Sequence, residues 1–283
     1  MRIAMLYTPL TTAGGAERQF FEELRQLRAR GHDVTALTFQ LRDEALFQPG
    51  DRDFVCVLRA RGLAGKVFAL RAALRAMRPH VLVSHTSPEL TWLATRGSRV
   101  PYIQYHNSPP FYIGEDANPY MASWRYRRIY PALRNSAAGY EDFAAAPALP
   151  LVRRLQVELR TALKHRGLRG ARAVVAPSMR TVRELRAIHG VEATVVRGCL
   201  PSSLLEKRPV RSGRLLLAPE GGPVVLSVCR LEPVKRIDLL IRSFARVRVD
   251  VPDATLVIAG RGPDEPRLRA LVRDSGLDAH VGF

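Results

Sequence analysis

Residues 224–244 read VVLSVCRLEPVKRIDLLIRSF, and this succession of apolar run, basic loop and amphipathic stretch decides the fold class. Val224, Val225, Leu226 and Val228 form a short β-branched run of the kind carried by a parallel strand covered on both faces. Ile237, Leu240, Ile241 and Phe244 recur at helical spacing, and Pro233 sits where the opening turn of a helix tolerates a missing N–H. The pattern predicts strand, loop and helix in a row, one unit of an open parallel α/β sheet. Arg230 and Lys235 fall in the loop, at the carboxyl end of the strand, where such sheets bind their ligands. A diphosphate suits that place. Arg presents a planar fork to phosphate oxygens, Lys a mobile point charge, and the helix start adds N–H donors and a partial positive charge. A solvated basic loop has the same spacing, so the pattern alone leaves both readings open.

The sixteen residues CRLEPVKRIDLLIRSF at 229–244 resemble, in unbroken register, the segment G-R-L-x-x-x-K-x-x-D-x-L-I-x-A-F that opens the second domain of retaining GT-B-fold glycosyltransferases of the family-4 type. The resemblance implies that Arg230 and Lys235 bind the diphosphate of a nucleotide-diphospho-sugar donor. Cys229 stands where Gly is usual, a departure that crowds backbone approach to a donor.

Composition is that of a soluble globular protein, with 47% hydrophobic and 25% charged residues among 283. No apolar run approaches the roughly 18 residues that span a bilayer, and residues 1–10 lack the apolar core of a signal peptide. Cytoplasmic residence is expected, with peripheral association at the inner face of the cell membrane as a further expectation. The three cysteines, Cys56, Cys199 and Cys229, have no metal-ligand spacing and are expected as buried thiols. A net charge of +18 suits a polyanionic partner such as an anionic membrane surface or nucleic acid, and biased arginine usage explains it equally well. No specific nucleic-acid partner is expected.

Along the chain, residues 2–7 read as a strand and residues 8–15 as a Gly-containing loop feeding a helix over 16–30, closed by Gly31. Gly14 and Gly15 would let a ligand approach the helix N–H groups, or simply make a turn. Strands over 34–39, 54–58, 81–84 and 101–105, with a helix over 63–77, imply a doubly wound parallel sheet. Asp51-Arg52-Asp53 has a metal-binding spacing but precedes a strand instead of following one, so no metal site is expected. His85 and His106 each stand just past a strand end and are expected in one crevice. Residues 119–134, PYMASWRYRRIYPALR, mix aromatics and cations as a membrane-surface segment or a solvated connection would. A basic helix over 151–164, a strand over 171–176, a helix over 178–189 capped by Ser178, and a strand over 193–196 follow. Residues 200–223 read as a linker. After the basic loop come a strand over 255–259, a Gly260-Arg261-Gly262-Pro263 loop, a helix over 268–275 and the start of a strand.

The resemblance extends to GGAER at 14–18, RGHDV at 30–34, Pro177-Ser178, Gly190-Val191, Arg197-Gly198, where Asn is usual in place of Arg197, and the G-x-G-P loop, whose Gly260 and Gly262 it places against the nucleotide. It implies a GT-B architecture of two Rossmann-like domains: an acceptor-side domain at 1–200, a linker at 201–223, and the first part of a donor-binding domain at 224–283, incomplete because the family's Glu-x7-Glu element is missing. Glu184 and Glu192 have that spacing by coincidence, in the first domain. The expected function is transfer of a sugar from a nucleotide-diphospho-sugar to a glycan or glycolipid acceptor, with His106 beside the transferred sugar, His85 in the cleft, no metal and no cofactor. Alone, the 283 residues are expected to be inactive and to expose an open strand edge after the linker. The alternatives are a GT-B-fold sugar-nucleotide epimerase and a non-enzymatic basic module that binds polyanions or membrane surfaces.

Overall fold

The computed structural model describes residues 1–12, 14–42, 48–85, 87–106, 123, 150–198 and 222–283. These fall into two compact units, one holding the described residues up to 198 and the other those from 222 onward. The expected linker at 201–223 lies, apart from Gly222 and Pro223, outside the described residues, as does the aromatic and basic segment at 119–134 apart from Ser123.

The first unit is built on seven parallel strands, β1 (Arg2–Leu6), β2 (Asp33–Thr38), β3 (Val55–Val57), β4 (Val81–Ser84), β5 (Tyr102–Tyr105), β6 (Ala173–Ala176) and β7 (Thr194–Val195). They lie in the order β3-β2-β1-β4-β5-β6-β7. The connecting helices are α1 (Gly15–Ala29), α2 (Gly62–Met77), α3 (Pro88–Thr95), α4 (Leu151–Arg169) and α5 (Met179–His189). Strand order reverses between β1 and β4, which pair from Ile3↔Val81 to Leu6↔Ser84, so the loops leaving these strands diverge and open a crevice at the carboxyl edge. Alternation along β1 sends Ile3 and Met5 to Phe20, Phe21 and Leu24 of α1, and Ala4 and Leu6 to Leu70 and Leu74 of α2 and Leu90 of α3. Phe20 and Phe21 are fully buried, each a gain of about 2–3 kcal/mol from burial.

Local signals set the helix limits. Gly31 takes a left-handed φ of +79° just past α1, and Ser178 accepts a 3.2 Å hydrogen bond from the Thr181 N–H at the start of α5, as its N-cap position requires. The sequence reading passed over α3, where six of eight residues are buried, among them the polar Glu89, Thr91 and Thr95, so polarity does not mark an exposed face. Its packing depends on Gly167 of α4, where any side-chain carbon would fall on the Pro88 carbonyl oxygen. Cys56 is exposed and Cys229 half-buried, which corrects the expectation of buried thiols. Cys56 lies on β3, which among the described residues has a neighbour on one side only. Cys199 lies outside the described residues.

The second unit contains β8 (Val224–Val228), α6 (Ile237–Asp250), β9 (Thr255–Ala259), α7 (Glu265–Asp274) and β10 (Val281–Gly282), with parallel strands in the order β10-β9-β8. Leu231, Ile237, Ile241, Phe244, Leu256, Ile258, Leu268 and Val272 form its core. Two expectations are corrected. Pro233 opens a separate 3-10 turn, Pro233–Lys235, and α6 starts only after Arg236, which sits in the left-handed region at φ 51°. Val224, Val225, Leu226 and Val228 of β8 are exposed, not covered on both faces. Among the described residues β8 pairs with β9 alone.

Candidate active site

At the crevice of the first unit, Gly14 is the N-cap residue of α1 and provides no side-chain cap. A side-chain carbon at Gly15 would meet nothing within 4 Å, and one at Gly14 only the carboxylate of Glu17. Neither has a positive φ. Among the described residues, therefore, nothing demands glycine at position 15, and a side chain at position 14 would only have to displace the flexible Glu17 carboxylate. Thr12 donates from Oγ1 to Glu17 Oε1 at 3.1 Å, holding the Glu17 side chain beside this turn.

His85 continues the line of β4, its N–H donating to the Leu6 carbonyl at 2.8 Å. Its side chain is fully buried. The ring stacks on Tyr105 at 4.8 Å between centroids and meets Phe20 edge-on at 5.3 Å. Nε2 lies 3.1 Å from Glu23 Oε2, and among the described residues neither ring nitrogen makes a hydrogen bond. Around it, Gln19 donates from Nε2 to Glu23 Oε1 at 2.8 Å and to the Tyr105 hydroxyl at 2.7 Å, and that hydroxyl donates to the Val196 carbonyl at 2.9 Å. This network ties α1 to the ends of β4, β5 and β7. Sequence reading missed it, although Gln19 and Glu23 stand four apart on one helix face, which is a legible signal.

His106 follows β5, its N–H bonded to the Val175 carbonyl at 2.8 Å. The residue is buried, and among the described residues Nε2 has no hydrogen-bond partner. Burial, and secondarily the charge of Lys164, push its pKa down to about 3, so the imidazole is neutral near pH 7. Burial also lowers the pKa of Lys164, against the pull of Glu89. Glu89 itself is buried and receives Arg160 Nε at 3.4 Å. Lys164 and Glu89 were missed because α4 and α3 bring them together across more than seventy residues of chain.

The two histidines do not share a face of the sheet. The register pairs Ser84 with Gln104, so His85 stands beside Tyr105, on the α1 side where Phe20 lies, while His106 is one step further along and turns toward Lys164 of α4. A one-residue offset reverses side-chain direction in a strand. The expectation of one shared crevice is corrected accordingly.

In the second unit the loops after β8 and β9 lie side by side. Cys229 N–H donates to the Ala259 carbonyl at 3.1 Å, Leu231 N–H to the Arg261 carbonyl at 2.9 Å, and Asp264 N–H to the Leu231 carbonyl at 3.1 Å. Side-chain carbons at Gly260 and Gly262 would fall on the carbonyl oxygens of Cys229 and Leu231. The first demand for glycine here is thus loop-on-loop packing. Arg230 is more than half exposed and lies 3.1 Å from Glu232, Lys235 is exposed, and Arg236 pairs with Asp238 at 3.4 Å. Three successive cations at the carboxyl end of a parallel strand, just before a helix, form a surface suited to anionic oxygens.

Asp51, the first acid of the Asp-x-Asp spacing, has structural partners. It caps the 3-10 turn Pro49–Phe54 through Gln48 and is held by Arg25 at 2.9 and 3.1 Å. Among the described residues no group of three or more His, Cys, Asp or Glu side chains is placed to hold a metal ion. Glu184 is buried against Arg180 and Glu192 is exposed beside Arg186, so their sequence spacing creates no joint site.

Two Rossmann-like units of parallel α/β structure, with glycine-bearing loops at their carboxyl edges, define the GT-B fold. Residues 13–198 match Glycosyltransferase Family 4, and residues 214–283 match Glycosyl transferases group 1. The first match covers more than half of the chain, which belongs to glycosyltransferase family 4. Over 61 residues it is 43% identical to the GDP-mannose-dependent alpha-(1-6)-phosphatidylinositol monomannoside mannosyltransferase of Mycolicibacterium smegmatis, a match spanning 22% of this chain and only 16% of that relative. In fold it is similar to sucrose-phosphate synthase from Thermosynechococcus elongatus, with a TM-score of 0.66 at 15% identity over 100% of this chain and 70% of that one. It is also similar to UDP-GlcNAc 2-epimerase from Neisseria meningitidis bound to UDP-GlcNAc, with a TM-score of 0.55 at 13% identity over 100% and 71%.

Proposed function

We propose that this chain belongs to an enzyme that transfers a hexosyl group from a nucleotide-diphospho-sugar to a hydroxyl of a glycan or glycolipid acceptor, with retention at the anomeric carbon. The observation that carries the reading is the loop after β8, where Arg230 and Lys235 stand exposed at a strand end before α6, in a segment matching a glycosyltransferase family. In the transfer the bond from anomeric carbon to diphosphate breaks and its electron pair leaves with the diphosphate. The acceptor oxygen forms the new bond, and its proton passes to the departing phosphate. Charge grows on the leaving diphosphate, and fixed cations stabilise it more in the transition state than in the bound donor. Arg230 and Lys235 take that role in place of a metal ion. The Gly260 and Gly262 loop supports the nucleotide side, and Gly14 and Gly15 leave room at α1. His106, neutral and with Nε2 unengaged among the described residues, hydrogen-bonds a sugar hydroxyl. The enzyme works in the cytoplasm, at the inner face of the membrane where a glycolipid acceptor is presented.

The fold likeness reaches sugar-nucleotide epimerases, so an acceptor-independent conversion of the donor is the second reading. Calorimetry with GDP and UDP tests the diphosphate loop. Charge-assisted contacts are worth about 1.5–3 kcal/mol each, so Arg230→Ala is expected to weaken nucleoside-diphosphate binding at least about tenfold. Unchanged affinity would exclude the assignment, and conversion of nucleotide sugar without any acceptor would favour the epimerase.

A further inference from the structure

Where β5 and β6 begin, at the end of the sheet away from His85 and His106, the first unit carries a pocket of about 480 Å³. Gly97, at φ 78°, turns the chain out of α3, and Ser98, Val100 and Pro101 after it form one wall. Trp92 and Arg96 from the end of α3, with Gly170 and Arg172 between α4 and β6, form the others. Arg96 lies over the Trp92 ring, 5.2 Å from its centroid. The Cδ1 edge of that ring packs at Gly170, where a side-chain carbon would come within 2.9 Å of it and of the Tyr102 hydroxyl. The lining offers donors. Among the described residues the Arg96 and Arg172 guanidiniums, both exposed, make no hydrogen bond or ion pair, and the Trp92 indole N–H has no acceptor. Ser98 Oγ accepts from the Val100 N–H at 3.3 Å, which leaves its proton to donate. Tyr102 donates to the Gly167 carbonyl at 2.6 Å, and burial pushes its pKa up to about 12, so the phenol adds no negative charge. Residues 90–114 and 159–183, which supply the whole lining, contain no Asp or Glu. Nor do the helix ends that meet here answer the arginines. The last carbonyls of α3 are taken by Arg71, at 2.7 Å from Leu93 and 3.3 Å from Ala94, and by the Arg96 and Ser98 N–H groups. Those of α4 are taken by the Tyr102 hydroxyl and the Gly170 N–H.

We propose that this pocket binds a small organic phosphate monoester, with Arg96 and Arg172 on the phosphate, the Trp92 N–H and Ser98 O–H as further donors, and the ligand's apolar body against Trp92, Val100 and Pro101. Two guanidiniums with no acid beside them match the charge of about −1.5 to −2 that a monoester carries near neutral pH, and their forked donors suit phosphate oxygens. A carboxylate would answer only one of them. The volume lies in the range of small-molecule sites, about 300–1,000 Å³, and leaves room for an organic body beside the phosphate. The inference rests on this end of the sheet alone and not on the proposed transfer reaction.

Isothermal titration of the purified chain with phenyl phosphate, against inorganic phosphate and benzoate, tests it. Phenyl phosphate is expected to bind with a Kd below about 1 mM, and the other two, lacking the ring or the second charge, at least about tenfold more weakly. Arg96→Ala and Arg172→Ala, made separately, are each expected to weaken phenyl phosphate binding at least about tenfold. Both side chains are exposed, so Tm should hold, and either variant suffices should the other misfold. Arg99→Ala removes an exposed cation of the same loop that does not line the pocket and should leave the Kd within about twofold. Arg230→Ala should leave it unchanged as well, which separates this site from the loop after β8. A Kd above about 1 mM, equal affinity for benzoate or inorganic phosphate, or full affinity in both pocket variants would overturn the proposal. So would an equal loss on Arg99→Ala, which would turn the site into a diffuse basic surface, or on Arg230→Ala, which would move it to the second unit. Nucleoside-diphosphate affinity should be the same in Arg96→Ala as in the parent, so failure here leaves the proposed function standing.

Discussion

Replacing His106 by Asn should make the first unit less sensitive to acid. The folded state holds this imidazole with a pKa near 3 against an ordinary 6.5. A group whose folded pKa is depressed binds fewer protons when folded, so its contribution is complete above the ordinary value and is lost as pH falls from there toward the folded one. With about 1.36 kcal/mol per pKa unit, lowering the pH from about 7.5 to about 5 removes about 2 kcal/mol, because the unfolded chain gains a proton that the folded one refuses. For a unit of this size that is a fall in Tm of roughly 4–8 °C. Asn keeps a polar side chain and removes the titration. Thermal unfolding followed by circular dichroism at both pH values, for the parent and His106→Asn, isolates the effect because every other titrating group is common to the two. The variant should lose about 2 kcal/mol less than the parent over this range. Parallel pH curves would refute the claim that His106 is held neutral by burial.

In the full-length enzyme His106→Ala should lower acceptor-dependent turnover strongly while leaving Tm at neutral pH nearly unchanged, and a large loss of stability with normal specific activity would assign the residue to folding. Gly262→Ala should destabilise the second unit by about 1–3 kcal/mol, measured by urea unfolding, because the added carbon would meet the Leu231 carbonyl oxygen. An unaltered midpoint would show that the two loops separate at no cost. Arg25→Met should cost about 3 kcal/mol in the same assay, since it strands the buried Asp51 carboxylate. Restoration by Asp51→Asn in the Arg25→Met background would confirm that the stranded charge is the cause.

The elements carrying strong local signals were legible in the chain. Limits such as those of β4 and β9 agree with the sequence reading residue for residue, because β-branched runs, glycine stops and serine caps act on their immediate neighbours. Arg230 and Lys235 could be placed at a strand end for the same reason. Their loop differs in detail, because Arg236 adopts a left-handed conformation that delays α6, and a Lys-Arg pair carries no signal for that.

By itself, the sequence determined the parallel α/β class, the order of the βα units and the position of the basic loop, all of which follow from hydrophobic period and turn chemistry over short spans. Only the tertiary structure decided which side chains meet. The register of β4 against β5 sends His85 into an aromatic box and His106 toward Lys164. The packing of α3 on α4 buries Glu89 and requires Gly167. The side-by-side loops at Cys229 and Gly260 account for the two glycines before any ligand is considered. Burial on β8 was likewise set by what lies opposite it, and an apolar residue in a sequence carries no record of whether its partner is a helix or water.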